Sequence, residues 1–306
     1  MRKNKWDSFL VSATGIAKIM SNPQGLKNPT PNQRKIYSDF YGKEDLTPKQ
    51  YSDLEKVILK MERLKDPELS KTAEKYAITR YSWEKYNRGT LPIHPQKAAV
   101  EKGKMMEALA ISTVEDFSGV KYTKLPNKFV KNSHLFGRCE AISECGSVLL
   151  DVKTTWGIHG YLPHHVTKLS ASNWFQMQGY LDLYGLETGL VCVVLLNTPD
   201  ALIAKEIARH TERYELGEID DEKYSDEMER LSLCYDYSKI PKKRKVITFE
   251  VNKEPDVIAR IYRKVERIRI FLKEFDKKHV RNRKILTLSE DYGPEDSIEL
   301  DTDSTS

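Results

Sequence analysis

Residues 189–197, GLVCVVLLN, form an unbroken apolar run of strand length. A strand without polar alternation is one covered on both faces, and such strands lie inside sheets flanked by helices. This run commits the chain to an α/β arrangement, and the segments around it agree. VKYTKL (120–125), HLFGRCEAI (134–142) and SVLLDVKTTW (147–156) read as strands, with Gly146 marking the turn between the last two. KVITFEV (245–251) alternates as a further strand. QKAAVEKGKMMEALAISTVEDFSG (96–119) reads as an amphipathic helix that turns Met105, Met106, Leu109, Thr113 and Phe117 to the core and stops at Gly119. ASNWFQMQGYLDLYG (171–185) is expected to be a helix with Ser172 as N-cap and Gly185 as its stop. Residues 211–240 read as polar helix and 254–278 as a long amphipathic helix. The order αβββαβ predicts an α/β (α+β) core with a central mixed sheet.

Residues 1–90 read as a helical, charged N-terminal region packed on the core, with breaks at NPQGLKNPTPNQ and KDPELS. Residues 91–288, opening with Pro92 and Pro95, hold the core with its C-terminal strand and helix. Residues 289–306 carry seven acidic and no basic residues, cannot bury a core, and are expected to form a disordered tail. The other 288 residues hold 50 Lys and Arg against 38 Asp and Glu, so a basic body of +12 underlies the net charge of +5. Such a balance fits a polyanionic partner, most simply nucleic acid. No apolar run approaches the roughly 20 residues that span a bilayer. MRKNKWDSFL lacks a signal-peptide apolar region, so a cytoplasmic location is expected. Cys139, Cys145, Cys192 and Cys234 show no CxxC pair and read as reduced, mostly buried thiols.

The chemistry concentrates in VLLDVKTTW. Leu149, Asp151 and Lys153 share one face of this strand and Leu150, Val152 and Thr154 the other. Opposite charges on such a strand are costly unless they pair, bind metal or do chemistry. Asp-x-Lys recurs at Asp221/Lys223 and Asp276/Lys278, in charge-rich helical stretches where a solvated face suffices. The unusual polar residues, in chain order, are Glu107, Glu140, Asp151, Lys153 and Gln176. A hairpin would bring Glu140 beside Asp151, and adjacent carboxylates repel unless a divalent cation neutralises them. Mg²⁺ suits one or two carboxylates with water and phosphate oxygens, where it activates water and stabilises phosphate charge. A lysine there orients or deprotonates the water and offsets charge on the phosphate. The plainer readings are a surface glutamate at 107, an edge-strand ion pair at 151–153 and a loop-bracing Gln176.

GRCEAI, LLDVKTTW and NWFQMQGYL, in this order, resemble the PD-(D/E)xK nuclease superfamily, and most closely its phage exonuclease branch of lambda exonuclease and YqaJ-type viral recombinases. The likeness covers about residues 100–200. It implies a restriction-endonuclease-like core and metal ligation by Glu107, Glu140, Asp151 and the Val152 carbonyl. It gives catalytic roles to Asp151, Lys153, Glu140 and Gln176, the last in the Gln176-Met177-Gln178 helix. Mg²⁺, with Mn²⁺ as substitute, would be the cofactor. FLVSATGIAKIM is similar to a helix start that contacts a DNA phosphate in the family, which points to Ser12 and Thr14, with Thr14 as the cap of a short helix. Further implications are duplex DNA ends as substrate, 5′-to-3′ polarity, a single-strand annealing partner, a ring-like homo-oligomer and, for a phage-encoded chain, the bacterial host cytoplasm. Glu140 replaces the usual Asp, Cys139 the usual Pro, and the triplet opens with Asp as in RecB-type nucleases. A RecB-like or structure-specific endonuclease and an inactive DNA-binding or assembly protein are the alternatives. PKKRKV (241–246) reads as a basic lead-in to the strand at Val246, and His159, His164 and His165 as loop residues that face solvent or DNA.

Overall fold

The computed structural model describes residues 4–23, 27, 29–65, 68–87, 97–233 and 235–281. The acidic tail 289–306, Cys234, Pro92 and Pro95 lie outside the described residues. Val11–Ser12 (β1) runs into a 3-10 turn, Ala13–Gly15, and the one-turn helix Ile16–Ile19 (α1). Pro31–Phe40 (α2), Pro48–Lys65 (α3), Lys71–Tyr86 (α4) and Lys97–Ser118 (α5) follow. Then come Tyr122–Lys124 (β2), Val130–Lys131 (β3), Leu135–Gly137 (β4), Ala141–Ser143 (β5) and Val148–Thr154 (β6). Ile158–Tyr161 (α6) and Ala171–Tyr184 (α7) lead to Thr188–Val194 (β7). Asp200–Glu215 (α8), Asp221–Leu233 (α9), Val246–Asn252 (β8) and Pro255–Arg281 (α10) complete the described chain.

The main sheet has the order β2-β5-β6-β7-β8, parallel between β6 and β7 and antiparallel elsewhere. A small sheet, β1-β4-β3, lies beside it with β1 parallel to β4. This is the mixed sheet flanked by helices, with a helical N-terminal region, that the sequence predicts. The apolar run supplies β7, and its residues divide between the two faces. Val191 packs with Leu149, Met177, Leu181 and the apolar side of α10, whereas Cys192 and Val194 pack with Leu150, Val152, Ala110 and Val114 of α5. Burying each such side chain contributes roughly 1.5–3 kcal/mol before the entropy cost of ordering it. Among the described residues no helix is long and apolar enough to cross a membrane.

Three local expectations are corrected. HLFGRCEAI is not one strand: β4 belongs to the small sheet and β5 to the main one, and the chain bends at Glu140 between them. Ser170, not Ser172, caps α7, its side chain accepting from the Asn173 N–H at 3.2 Å. On α5, Met105, Leu109 and Phe117 are exposed, while Lys102, Ala110, Ile111 and Val114 are buried. The small residues Gly103 and Ala110 let the helix lie close to β6, and the charge at Lys102 disguises that stripe in the sequence. Gly146, at φ +72°, closes the β5–β6 hairpin as expected, its N–H bonded to the Ser143 carbonyl at 2.8 Å. Cys139 and Cys192 are buried free thiols, but Cys145, in that turn, is exposed.

Candidate active site

The site begins with a defect in the sheet. β5 pairs with β6 only at Ala141↔Leu150 and Ile142↔Leu149, whereas β6 runs on to Thr154 beside β7 alone. Beyond Leu150, one edge of β6 therefore has no strand partner among the described residues. Its unpaired main-chain groups need other partners. The Val152 N–H donates to Glu140 Oε2 at 2.5 Å, and the Leu150 carbonyl faces Cys139 Sγ at 3.3 Å. A strand residue turns its N–H and C=O to the same side, so the Val152 carbonyl faces the gap that Glu140 enters.

Asp151 and Lys153 alternate with Val152 on the other face. Asp151 is 1% exposed, and its Oδ2 lies 2.7 Å from Lys153 Nζ at an angle that leaves the oxygen without a hydrogen bond. Burial pushes the Glu140 carboxyl up to about 8, and the Asp151 charge adds to the shift against the pull of Lys153 and the Val152 N–H. Burial works to lower the Lys153 pKa, but Asp151 and Glu140 outweigh it and hold the lysine above its usual range. Two carboxyl groups thus share one gap with a single ammonium. Their all-oxygen donor set, with a buried Asp151 oxygen held only by the ion pair and a main-chain carbonyl nearby, suits a hard divalent cation.

Glu107 adds its negative charge to the field at Glu140 but pairs with Lys124 Nζ of β2 at 2.8 Å. Among the described residues no three His, Cys, Asp or Glu side chains stand close enough together to cage a metal by themselves. Gln176 reaches the site through a neighbour: its Nε2 donates to the Tyr180 hydroxyl at 2.7 Å. Tyr180, whose phenol is pushed up by burial and then by Asp151, packs over Gly137. Gln178 is structural, with Nε2 on the Asn252 carbonyl and Oε1 accepting from the Glu254 N–H, which joins β8 to α10.

Ser12 and Thr14 line a cavity of about 250 Å³ with Asn127, Phe129, Arg138 and Tyr180. Thr14 does not cap a helix: it lies inside the 3-10 turn, and Gly15 is the N-cap of the four-residue α1. Its hydroxyl instead faces Ser12 Oγ at 3.2 Å. Arg138, Asn127, Phe129 and Tyr180 are absent from the sequence-derived site. Arg138 follows Gly137 directly in GRCE, and Tyr180 stands one helical turn after Gln176, so both carried a positional signal. Asn127 and Phe129 carried none, because only the fold brings their loop to the cavity. His159 lies on α6, and His164 and His165 on the 3-10 turn Leu162–His165. Tyr161 ties this segment to the exposed basic turn Lys242–Arg244 through the Arg244 carbonyl at 2.9 Å.

Gly137 has a steric role in the cavity. A Cβ there would meet Ala13 Cβ at 2.8 Å and Tyr180 Cε1 at 2.9 Å. Ala13 Cβ moves only with its backbone, so Gly137→Ala is expected to push the Ala13–Gly15 turn off α7. The expected cost is about 1–3 kcal/mol, a fall of several degrees in melting temperature that thermal unfolding would detect.

No protein-family model matches the chain, and no curated protein matches its sequence. Its fold is similar to solved exonucleases. A phage-related exonuclease from Haemophilus somnus 129PT superposes with a TM-score of 0.55 at 15% identity, covering 89% of this chain and 97% of that one. An alkaline exonuclease from Laribacter hongkongensis superposes with a TM-score of 0.50 at 9% identity, covering 91% and 98%. At these identities the likeness is one of fold.

Proposed function

We propose that this chain is a metal-dependent DNA exonuclease that hydrolyses phosphodiester bonds at duplex ends. The observation that carries the reading is the uncovered edge of β6, where Glu140, Asp151, the Val152 carbonyl and Lys153 meet in a fold similar to that of exonucleases. The +12 body supports a polyanionic substrate. Asp151, Glu140 and the Val152 carbonyl would hold Mg²⁺, or Mn²⁺ in its place, with Glu107 available once released from Lys124. The bound ion would supply a water of lowered pKa and neutralise charge on the scissile phosphate. Lys153, held protonated by its two carboxylates, acts as a donor that orients the water and the phosphate oxygen. Gln176 orients the Tyr180 hydroxyl at the boundary between the carboxylates and the Ser12–Arg138 cavity. The same reading includes 5′-to-3′ resection, a ring-like homo-oligomer and an annealing partner.

The test is incubation with end-labelled linear and closed circular duplexes, with and without Mg²⁺. Degradation of linear DNA alone is the expected result. Nicking of circles would favour a RecB-like or structure-specific endonuclease, and inertness towards both would leave a DNA-binding or assembly role. If the cavity receives the terminal phosphate, Arg138→Ala and Thr14→Ala should each erode any preference for 5′-phosphorylated ends. The effect expected is roughly tenfold for Arg138, the loss of one charge-assisted hydrogen bond. Equal rates on phosphorylated and unphosphorylated ends in the unmodified protein would rule that role out.

A further inference from the structure

Lys102 of α5 is fully buried, yet the chemistry above makes no use of it. Its Nζ donates to the Trp156 carbonyl at 2.9 Å, the Leu196 carbonyl at 2.7 Å and Thr198 Oγ1 at 3.0 Å. The rings of Trp156 and Tyr237 each lie 6.0 Å away. All three protons of the ammonium therefore have acceptors. Burial pushes its pKa down to about 8, which leaves the ammonium form in the majority at neutral pH.

A buried ammonium is costly, and methionine would fill much the same space with no charge to desolvate. The contacts indicate what the charge does. Among the described residues, β6 has lost β5 beyond Leu150 and keeps only β7 as a strand neighbour over Asp151–Thr154. Trp156 lies three residues after Lys153, and Leu196 two residues after the end of β7. Lys102 thus ties the ends of both strands to α5, which carries Glu107 five residues further on. Gly103 brings the same helix close to β6, since a Cβ there would lie 3.5 Å from Thr154 Oγ1.

We propose that Lys102 is a positioning residue for the hydrolysis proposed above, its ammonium holding the free end of β6 and the helix of Glu107 in fixed register. The inference rests on the nuclease reading. It is tested with Lys102→Met, which keeps the length of the stem, at a temperature well below the melting point of each protein. Amide hydrogen exchange at residues 155–161 should quicken while the β5–β6 hairpin keeps its protection. On linear duplex the kcat should fall roughly 10- to 100-fold, the cost of misplaced reacting groups, with a raised Mg²⁺ half-saturation and little change in KM for DNA. A folded Lys102→Met protein with unchanged kcat and Mg²⁺ half-saturation overturns the proposal, even if its melting temperature falls. Should Lys102→Met fail to fold, Thr198→Val, which removes one acceptor, decides. A smaller loss of kcat with the same Mg²⁺ shift supports the clamp, and unchanged values overturn it. Unmodified protein that leaves linear DNA intact in Mg²⁺ sinks the nuclease reading itself, a result distinct from an active protein indifferent to Lys102.

Discussion

Asp151→Asn is expected to give a folded protein that has lost cleavage by about a thousandfold or more and melts no lower than the parent. The two effects have one electrostatic origin. Asp151 and the Glu140 carboxyl share a buried gap with the Lys153 ammonium, and ionising both would set like charges side by side. Neutralising Asp151 leaves Glu140 and Lys153 as a simple pair and removes the second-largest cause of the raised Glu140 pKa. The isosteric amide is then neutral or favourable for the fold. It is ruinous for chemistry, because an amide oxygen is a much weaker ligand for a hard cation than a carboxylate. Lys153→Ala should lose activity comparably but move stability the other way, since it leaves Asp151, 1% exposed, without its counter-charge. Rates on end-labelled duplex and melting curves for the two variants provide the check. A fully active Asp151→Asn would remove Asp151 from the chemistry, and a stability change of the same sign in both would contradict the charge arrangement.

The largest loss of stability is expected from Arg269→Met in α10. Arg269 is 8% exposed, and its guanidinium makes a three-way junction. Nε and Nη2 donate to the Phe9 carbonyl at 3.0 and 2.9 Å, Nη2 also reaches the Ser133 carbonyl, and Nη1 pairs with Glu266 at 2.7 Å. Phe9 and Ser133 stand just before β1 and β4, the parallel pair that carries Ser12 and Gly137. Methionine keeps the volume but removes the side-chain donors that the Phe9 and Ser133 carbonyls have among the described residues. Leaving a buried acceptor unsatisfied costs about 1–3 kcal/mol per group, which lowers the melting temperature by roughly 5–10 °C for a chain of this size. Circular dichroism melts measure it, and a shift of only a degree or two would show that the small sheet is held by other contacts.

The architecture was legible where a residue's role is settled by its immediate neighbours. An apolar run with no alternation has one low-cost home, between two covered faces, and 189–197 occupies it as β7. The hairpin turn at Gly146 and the helix stop at Gly185 follow from backbone conformations that only glycine adopts readily. The clash of charge and apolarity at Asp151 and Lys153 was visible for the same reason, because two charges among strand-forming residues have to be accounted for wherever the strand lies.

What depended on distant parts of the chain was not legible. HLFGRCEAI has the composition of one strand, but residues 135–137 pair with β1 and β3 while 141–143 pair with β2 and β6. The bend between them, which opens the site, is imposed by those separate partners. The sequence hides the buried face of α5 because Met105, Leu109 and Phe117 are more apolar than a stripe containing Lys102. Only the three acceptors at Trp156, Leu196 and Thr198 make that lysine a tolerable core residue. The sequence context of Thr14 suits a cap, whereas pairing of β1 with β4 sets it inside a 3-10 turn, facing a cavity. The sequence by itself determined the central strand, the main helices and the charges that must be satisfied, since these follow from local hydrophobicity and backbone preference. Only the tertiary structure decided which charges share a gap and which strand edge is left open, because those depend on partners 10 to 100 residues away that supply or withhold a hydrogen bond.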